Sequence, residues 1–590
     1  LRVEHLTLEN DKVLRELILE AAFLNALKHS GKAQAGAVVG RVISERQDLK
    51  TKTKELASLI SQVVKEVNSL SVDEQKRKVE EKWPEALMKK RPVEKKKRLP
   101  PLPNSDKYEQ IVTRFSPNPD CVLHLGSARA IILSYEYARL YRGKFILRFE
   151  DTDPKVKKPV LEFYERIRED LAWLGCIADE ECIQSDRLPI YYKYTEQLLQ
   201  EGNAYVCICQ PEQFRKKSLA REPCDCRKQS TEENLERWQS MLDGDYGEGE
   251  AVVRLKTDIE HPNPAVRDWP ALRIIDPEKY PHPRVGRKYR VWPLYNIAAG
   301  VDDHLLGVTH IIRGKEHLTN QVRQEYLYKY LGWKYPETIH YGRLKITGTY
   351  LSKSKIVQGI RDRLYTGWDD PRLATFAALR KRGIMAGAVR KMIIDVGPKT
   401  SDVTLSWENL YSHNRKILDP QSARYFFVSE PIKVKVKAIP HVFTSKLPLH
   451  PEKPEMGFRE YTVKPEGEEK VTNFWIAKRD ADAAKEGKMV RLMELFNVKI
   501  ERIGSSLMEA VFVSEAYEDA RKAKAKLIHW IPERAEISCL IVMPDASLDE
   551  GIAEKACKKL KPDAVIQFER FGFVRVEEND TEFKVYYAHK

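Results

Sequence analysis

A histidine, a glycine and a serine stand together in CVLHLGSARA, residues 121–130, as His124, Gly126 and Ser127. Groups of this kind at the start of a helix suit phosphate, because the first helical amides have no intrahelical partner and the helix dipole is positive there. A second cluster, TYLSKSK at 349–355, follows Gly348 and offers Ser352, Lys353 and Ser354. A lysine on a loop of that composition can close on a triphosphate and offset charge as it builds toward a transition state. A third cluster is Cys207, Cys209, Cys224 and Cys226, in CICQ and CDCR. Two Cys-x-Cys pairs can bring four thiolates to one tetrahedral Zn²⁺, although pairs three residues apart are commoner and buried free thiols are the alternative. The other five cysteines, Cys121, Cys176, Cys182, Cys539 and Cys557, form no pattern.

The elements around the first cluster place it. IVTRF at 111–115 reads as a buried strand, and apolar residues recur at helical spacing from Ala128 to Tyr141, stopping at Gly143. KFILRFED then reads as a second strand. A strand–helix–strand unit of this kind belongs to doubly wound α/β sheets, which bind ligands at the carboxyl ends of their strands. Segments 160–175 and 186–201 continue as helices, a less regular region runs to about 290, and alternation returns with YNIAAGVDDHLLGVTHIIRG and a helix around 318–331. An inserted module splitting one sheet explains the gap. Residues 368–420 read as helical. Beyond 421 the period becomes two, as Ile432, Val434 and Val436 alternate with Lys433, Lys435 and Lys437, which predicts antiparallel β-structure in barrels or sandwiches.

The first hundred residues read as helix. DKVLRELILEAAFLNAL places Leu14, Leu17, Ile18, Ala21, Leu24 and Leu27 on one face, with Asp11 as N-cap and Gly31 near the stop. KTKELASLISQVVKEVNSL predicts a second helix, and SVDE at 71–74 has the capping-box spacing that would open a third. The basic, proline-bearing MKKRPVEKKKRLPPLP is read as a linker, either a solvated tether or a contact to RNA phosphates.

At 590 residues the chain must divide into several domains. Lys and Arg number 101 against 87 Asp and Glu, and the resulting +14 favours a polyanionic partner, although it also serves solubility. No apolar run approaches the roughly 18 residues of a membrane span, and the N-terminal sequence lacks the features of a secretory signal. A soluble, cytoplasmic protein with no membrane partner is expected.

The His124–Ser127 and Tyr350–Ser354 segments resemble the two signatures of class I aminoacyl-tRNA synthetases, commonly written HIGH and KMSKS. RFSPNPDCVLHLGSARA, RFEDTDP, GWDDPR at 367–372 and HPEKPEMG at 450–457 resemble the glutamyl/glutaminyl branch of that class in its archaeal and eukaryotic form. Ser127 replaces the last histidine of the first signature and Tyr350 the first lysine of the second, which places more of the phosphate work on His124 and Lys353. The resemblance implies a Rossmann-like catalytic core at 106–190 and 291–346, divided by an acceptor-end-binding module at 191–290. Around it would lie an N-terminal helical domain and linker at 1–105, a loop and helical stem-contact subdomain at 347–420, and two β-barrel anticodon-binding domains at 421–590.

It implies a function as well: ATP-dependent activation of glutamate, with Mg²⁺, and its transfer to tRNA(Glu) and also tRNA(Gln), by an enzyme acting as a monomer. ATP would be held by His124, Gly126, Ser127, Ser352, Lys353 and Ser354. Glutamate would be held by Arg114, Ser116, Glu150, Tyr295 and Arg313. A pocket that selects a carboxylate over an amide needs a desolvated cation, and a bidentate arginine is its best-matched donor. Arg313 stands where glutamyl enzymes carry one and glutaminyl enzymes do not. A glutaminyl enzyme and a non-catalytic tRNA-binding relative are the alternatives. Singly, Arg114 could be a sheet-end cation, Glu150 its partner, Tyr295 a core aromatic and Arg313 a surface ion-pair residue. The four cysteines stand where some relatives carry a zinc knuckle.

Overall fold

The computed structural model describes residues 11–83, apart from 30, 47 and 50–52, together with 99–348, 353–579 and 582–590. Most of the expected linker, and Tyr350 and Ser352 of the second signature segment, lie outside the described residues. The chain forms two compact units, residues 1–96 and 97–590.

The first unit packs four helices, Lys12–Lys28, Ala35–Glu45, Thr53–Asn68 and Val72–Lys82, around a core that includes Leu14, Ile18, Val42, Ile60 and Val63. Asp11 caps the first helix by accepting from Val13 N and Leu14 N, and Ser71 with Glu74 closes the capping box of the fourth. Sequence periodicity passes over the helix Ala35–Glu45, whose Gly36 and Gly40 have poor helix propensity. Burial of Val38 and Val42 in the shared core offsets that.

In the second unit, β1 (Val112–Phe115), β2 (Lys144–Phe149) and β3 (Glu180–Ile183) form a parallel sheet in that order, with helices Leu125–Leu140 and Leu161–Leu174 as crossovers. The chain then builds the four-stranded antiparallel sheet β4 (Ala204–Cys207), β5 (Val252–Leu255), β6 (Pro270–Ile274) and β7 (Val291–Pro293), packed with helices Leu188–Gln200 and Thr231–Asp243. The irregular reading of this region fails because its strands are only three to five residues long, too short to display alternation. The expected boundary at 290 also shifts, since Val291–Pro293 pairs with β6 inside the module rather than with the core sheet.

After helix Tyr295–Leu305 the chain returns as β8 (His310–Gly314), crosses through helix Leu318–Tyr330 and pairs β8 in parallel with β9 (Glu337–Tyr341). Thr309 N donates to Val112 O at 3.0 Å and Val112 N donates to Thr309 Oγ1 at 2.9 Å, so β8 enters beside β1. The spatial order is therefore β3-β2-β1-β8-β9, a doubly wound arrangement whose switch point falls between β1 and β8, where such sheets bind ligands.

Short helices Phe376–Lys381, Ala386–Val396 and Trp407–Leu418 follow, and then two seven-stranded sheets. The chain opens one sheet at 424–429, builds the other between 431 and 532, and returns to complete the first from 536 to 589. Val434 and Val436 are buried in alternation with their lysine neighbours, as the pattern predicts. The sheets are nonetheless mixed: 433–437 run parallel to 507–511 and 539–542 parallel to 583–586. A period of two defines a strand but says nothing of the direction of its neighbour.

Candidate active site

β1 ends at Phe115 and passes through Ser116–Leu123 into helix Leu125–Leu140, with His124 as the N-cap in extended conformation. That loop is tied to the ends of its neighbours, since Glu150 N donates to Pro117 O and Val160 N to Pro119 O, each at 2.9 Å. His124 Nδ1 accepts from Gly126 N at 2.9 Å, leaving the ring proton on Nε2. Burial holds the imidazole below its ordinary pKa, so it is neutral at physiological pH.

The amides expected to be open at this helix start are not. Leu125 N donates to Ala374 O at 2.9 Å, Gly126 N to the His124 ring, and Ser127 N to His124 O at 2.8 Å. The cap folds back on the first turn, and the segment at 374–376 pairs with it, Phe376 N reaching Leu123 O at 3.1 Å. In this conformation the groups able to meet phosphate are side chains.

Lys353 is one of them. It opens the helix Lys353–Arg361 and forms an ion pair with Asp120, four residues before His124, so the two signature segments lie on the same side of the sheet. Ser354 is exposed in the first turn of that helix and Ser127 half-buried in its own. Arg129, fully buried one turn into the first helix, donates to Gly342 O at 2.6 Å, Gly397 O at 2.7 Å and Lys399 O at 2.9 Å, and so anchors the chain leading to the second segment.

At the switch point the charges are buried. Arg114 donates from Nε to Asp303 Oδ1 at 3.1 Å, and Arg148 Nη1 reaches the same oxygen at 2.6 Å while its Nη2 reaches Glu150 at 2.9 Å. Burial alone would push Asp303 up, but the two guanidiniums outweigh it and hold the carboxyl below its ordinary value. Burial pushes Glu150 up, with Arg148 and Arg114 pulling against it. The Tyr295 phenol is pushed up by burial and by Glu150, and is opposed by Arg313 and Arg114, so these four share one electrostatic neighbourhood. Ser116 Oγ is buried at the end of β1 with no hydrogen-bond partner among the described residues.

Arg313, on β8, is 5% exposed. It donates from Nη1 to Gln324 Oε1 at 3.0 Å and from Nη2 to the Tyr335 hydroxyl at 2.9 Å. Its Nε is buried without a partner, as is Nε2 of His340, its register neighbour on β9. His317, whose ring lies 5.5 Å from that of Tyr295, and His340 are both pulled down to about 4 by burial and by Arg313, and are neutral. No carboxylate pairs with Arg313 among the described residues.

Sequence reading passed over Asp303, Gln324 and Asp120. Asp303 could have been found, because two adjacent acids in the otherwise apolar helix IAAGVDDHL must be buried and therefore paired. Its neighbour Asp302 is equally occupied, accepting from Tyr191 at 2.6 Å, Arg187 at 2.8 Å and Gln184 at 2.9 Å. Gly300 lies between Tyr295 and these acids, and a Cβ there would meet Leu327 Cδ2 at 2.7 Å. Any larger residue there would push the Leu327 methyl aside on the helix that carries Gln324.

In the inserted module the four cysteine sulfurs lie within 4.8 Å of one another, with Cys207–Cys224 at 3.9 Å and Cys209–Cys226 at 3.7 Å. Four thiolates about 2.3 Å from a tetrahedral Zn²⁺ would stand about 3.8 Å apart, so the donor set fits that ion. The Tyr205 hydroxyl at 3.3 Å from Cys224 and Arg237 at 3.9 Å from Cys226 supply polar support to the sulfurs.

A doubly wound core with its charged pocket at the switch point, an inserted module, and two terminal sheets is the arrangement of a class I synthetase. The family models of class I (E and Q) tRNA synthetases match here, the catalytic domain over residues 110–420 and the anticodon-binding domain over 422–513 and 527–577. The chain belongs to this family. It is 51% identical over 584 residues to the glutamate–tRNA ligase of Pyrococcus furiosus, covering 98% of this chain and 100% of the relative. It is 52% identical over 582 residues to that of Pyrococcus abyssi and 46% over 578 to that of Methanocaldococcus jannaschii, with the same coverage in both cases. Among the described residues no helix is long and apolar enough to cross a membrane.

Proposed function

We propose that this chain activates glutamate with ATP and transfers it to the 3′ end of tRNA(Glu), and that tRNA(Gln) is also a substrate. The observation that carries the amino-acid choice is Arg313, a buried guanidinium whose partners are all neutral. A substrate carboxylate supplies the missing counter-charge. Glutamine would leave the cation unpaired, at a cost of roughly 3–5 kcal/mol by analogy with broken buried ion pairs. The extension to tRNA(Gln) rests on the sequence resemblance alone.

In the first step the α-carboxylate of glutamate attacks the α-phosphorus of ATP and pyrophosphate leaves. No side chain need act as nucleophile, so the protein's contribution is position and electrostatics. Glu150 accepts from the α-ammonium, Tyr295 lies along the side chain, and Ser116 Oγ gains the partner it lacks. Arg114, held by Asp303 through Nε and Nη2, presents Nη1. The Nε2–H of His124 donates to phosphate, Gly126 and Ser127 border the nucleotide, and Lys353 leaves Asp120 to follow the pyrophosphate, with Ser352 and Ser354 beside it. Mg²⁺ bound with ATP would supply further charge neutralisation at the phosphates. In the second step a hydroxyl of the terminal ribose attacks the activated carbonyl and AMP leaves. The inserted module takes the acceptor end, and the terminal sheets take the anticodon; Cys207, Cys209, Cys224 and Cys226 would hold a structural Zn²⁺ that would stabilise the module.

ATP–pyrophosphate exchange, measured with tRNA present and with each amino acid in turn, tests this reading. Glutamate-dependent exchange is expected; exchange with glutamine instead, or none, overturns it. Transcripts of the two tRNAs decide the second acceptor, and elemental analysis of the purified protein decides the zinc.

A further inference from the structure

The two atoms hydrogen-bonded to the Arg313 guanidinium belong to two neutral residues. Gln324, fully buried on helix Leu318–Tyr330, accepts through Oε1 from Arg313 Nη1 at 3.0 Å and from the Tyr335 hydroxyl at 2.8 Å, and Tyr335 in turn accepts from Arg313 Nη2. Nε2 of Gln324 is buried with no partner among the described residues. An amide therefore sits where a carboxylate of the same shape would fit, with its acceptor oxygen on the guanidinium and its nitrogen in no hydrogen bond. Beside it, the equally buried Arg114 is paired with an acid.

We infer that Gln324 is a specificity-determining residue: by being an amide it keeps Arg313 unneutralised and so reserves the pocket for an anionic substrate side chain. The inference rests on the proposed glutamate reading. Replacing the nitrogen by oxygen, as in Gln324→Glu, would pair Arg313 within the protein. An entering glutamate would then meet a neutral pair and a like charge beside it, both of which disfavour its ionised form. A substrate side chain ending in an amide meets neither obstacle, and its own donors can reach the new carboxylate.

The experiment compares wild type, Gln324→Glu and Gln324→Met by ATP–pyrophosphate exchange with tRNA present, taking kcat and KM separately for glutamate and glutamine, with a thermal melt of each protein. For Gln324→Glu, KM for glutamate is expected to rise at least 100-fold with a much smaller change in kcat, and the preference for glutamate over glutamine to fall at least 100-fold. Its Tm is expected to stay level or rise, because a buried cation gains a partner; a Gln324→Glu protein that melts well below wild type, or does not fold, overturns the inference. Gln324→Met leaves Arg313 charged and is expected to keep the preference within tenfold. An equal loss of preference in both variants would assign the effect to packing, and an unchanged preference in Gln324→Glu would remove Gln324 from specificity. A wild-type enzyme that ignores glutamate would instead overturn the proposed function, while the melts would still report the pairing of positions 313 and 324.

Discussion

Arg114 and Arg313 occupy similar places near the carboxyl ends of neighbouring strands, each 5% exposed, yet their charges are treated in opposite ways. Around Arg114, Asp303, Arg148 and Glu150 make a closed network in which every cation has an acid. Around Arg313, an amide and a phenol give hydrogen bonds without neutralisation, and the two imidazoles in its field are neutral. Burying an unpaired charge is destabilising, and a protein tolerates it where a ligand completes the pair. On the proposed reading both regions meet substrate: the paired network holds Arg114 and Glu150 in place for it, and Arg313 takes its counter-charge from it.

The sharpest way to break this comparison is to damage each region by one group. Asp303→Asn leaves two buried guanidiniums sharing one remaining acid, Glu150, and should cost about 3–5 kcal/mol of stability, read as a lowered midpoint in denaturant. A loss under about 1 kcal/mol would mean that water already screens the network. Arg313→Met should do the reverse: stability holds or rises, while kcat/KM for glutamate falls about 100-fold, or about 3 kcal/mol of transition-state binding. Arg313→Met losing stability as Asp303→Asn does would put both arginines in one structural role.

How much of this could be read from the chain depends on whether the signal was local. The strand–loop–helix at 112–140 was legible because an apolar strand, a capping histidine and a stopping glycine follow one another directly. The four cysteines were legible from their spacing, and Arg313 from the motif around it. The occupied amides of the first turn were not, because the carbonyl that takes Leu125 N comes from residue 374. Nor was the neutrality around Arg313, since Gln324 and Tyr335 are 11 and 22 positions away and join it only through the packing of a helix and a loop. Whether a buried arginine is paired is a property of three-dimensional neighbours, and that property separates Arg114 from Arg313.

Asp170 extends the comparison to an acid with poor partners. Its side chain is 4% exposed, its contacts to Leu123 N and Arg380 are long at 3.4 and 3.6 Å, and burial pushes it up to about 7 against the pull of Arg380. The folded protein therefore binds a proton that the unfolded chain has released, between an ordinary aspartate pKa of about 3.9 and about 7, and stability falls as pH rises through that window. Asp170→Asn removes the titration. Its advantage over wild type should be absent near pH 4 and grow to about 2 kcal/mol at pH 8, taking about half of the full shift because relaxation softens burial. Parallel stability–pH curves for the two proteins would show that folding leaves the Asp170 pKa unshifted.

The smallest expected effect concerns the other half of the site, where the cation is paired but exposed. Lys353 is 38% exposed and rests on Asp120, which is 10% exposed, so the pair resembles surface ion pairs worth about 0.2–1 kcal/mol. On its proposed role Lys353 must leave Asp120 before it can follow phosphate, and ATP binding has to overcome that pairing. Asp120→Asn should therefore lower KM for ATP by about two- to fivefold at low salt, with the difference shrinking as ionic strength rises and screens the pair. The direction is what discriminates. If Asp120 kept its hold on Lys353 through the transition state, the same change would lower kcat and leave KM where it was, and Lys353 would be a fixed cation like Arg114, not a mobile one.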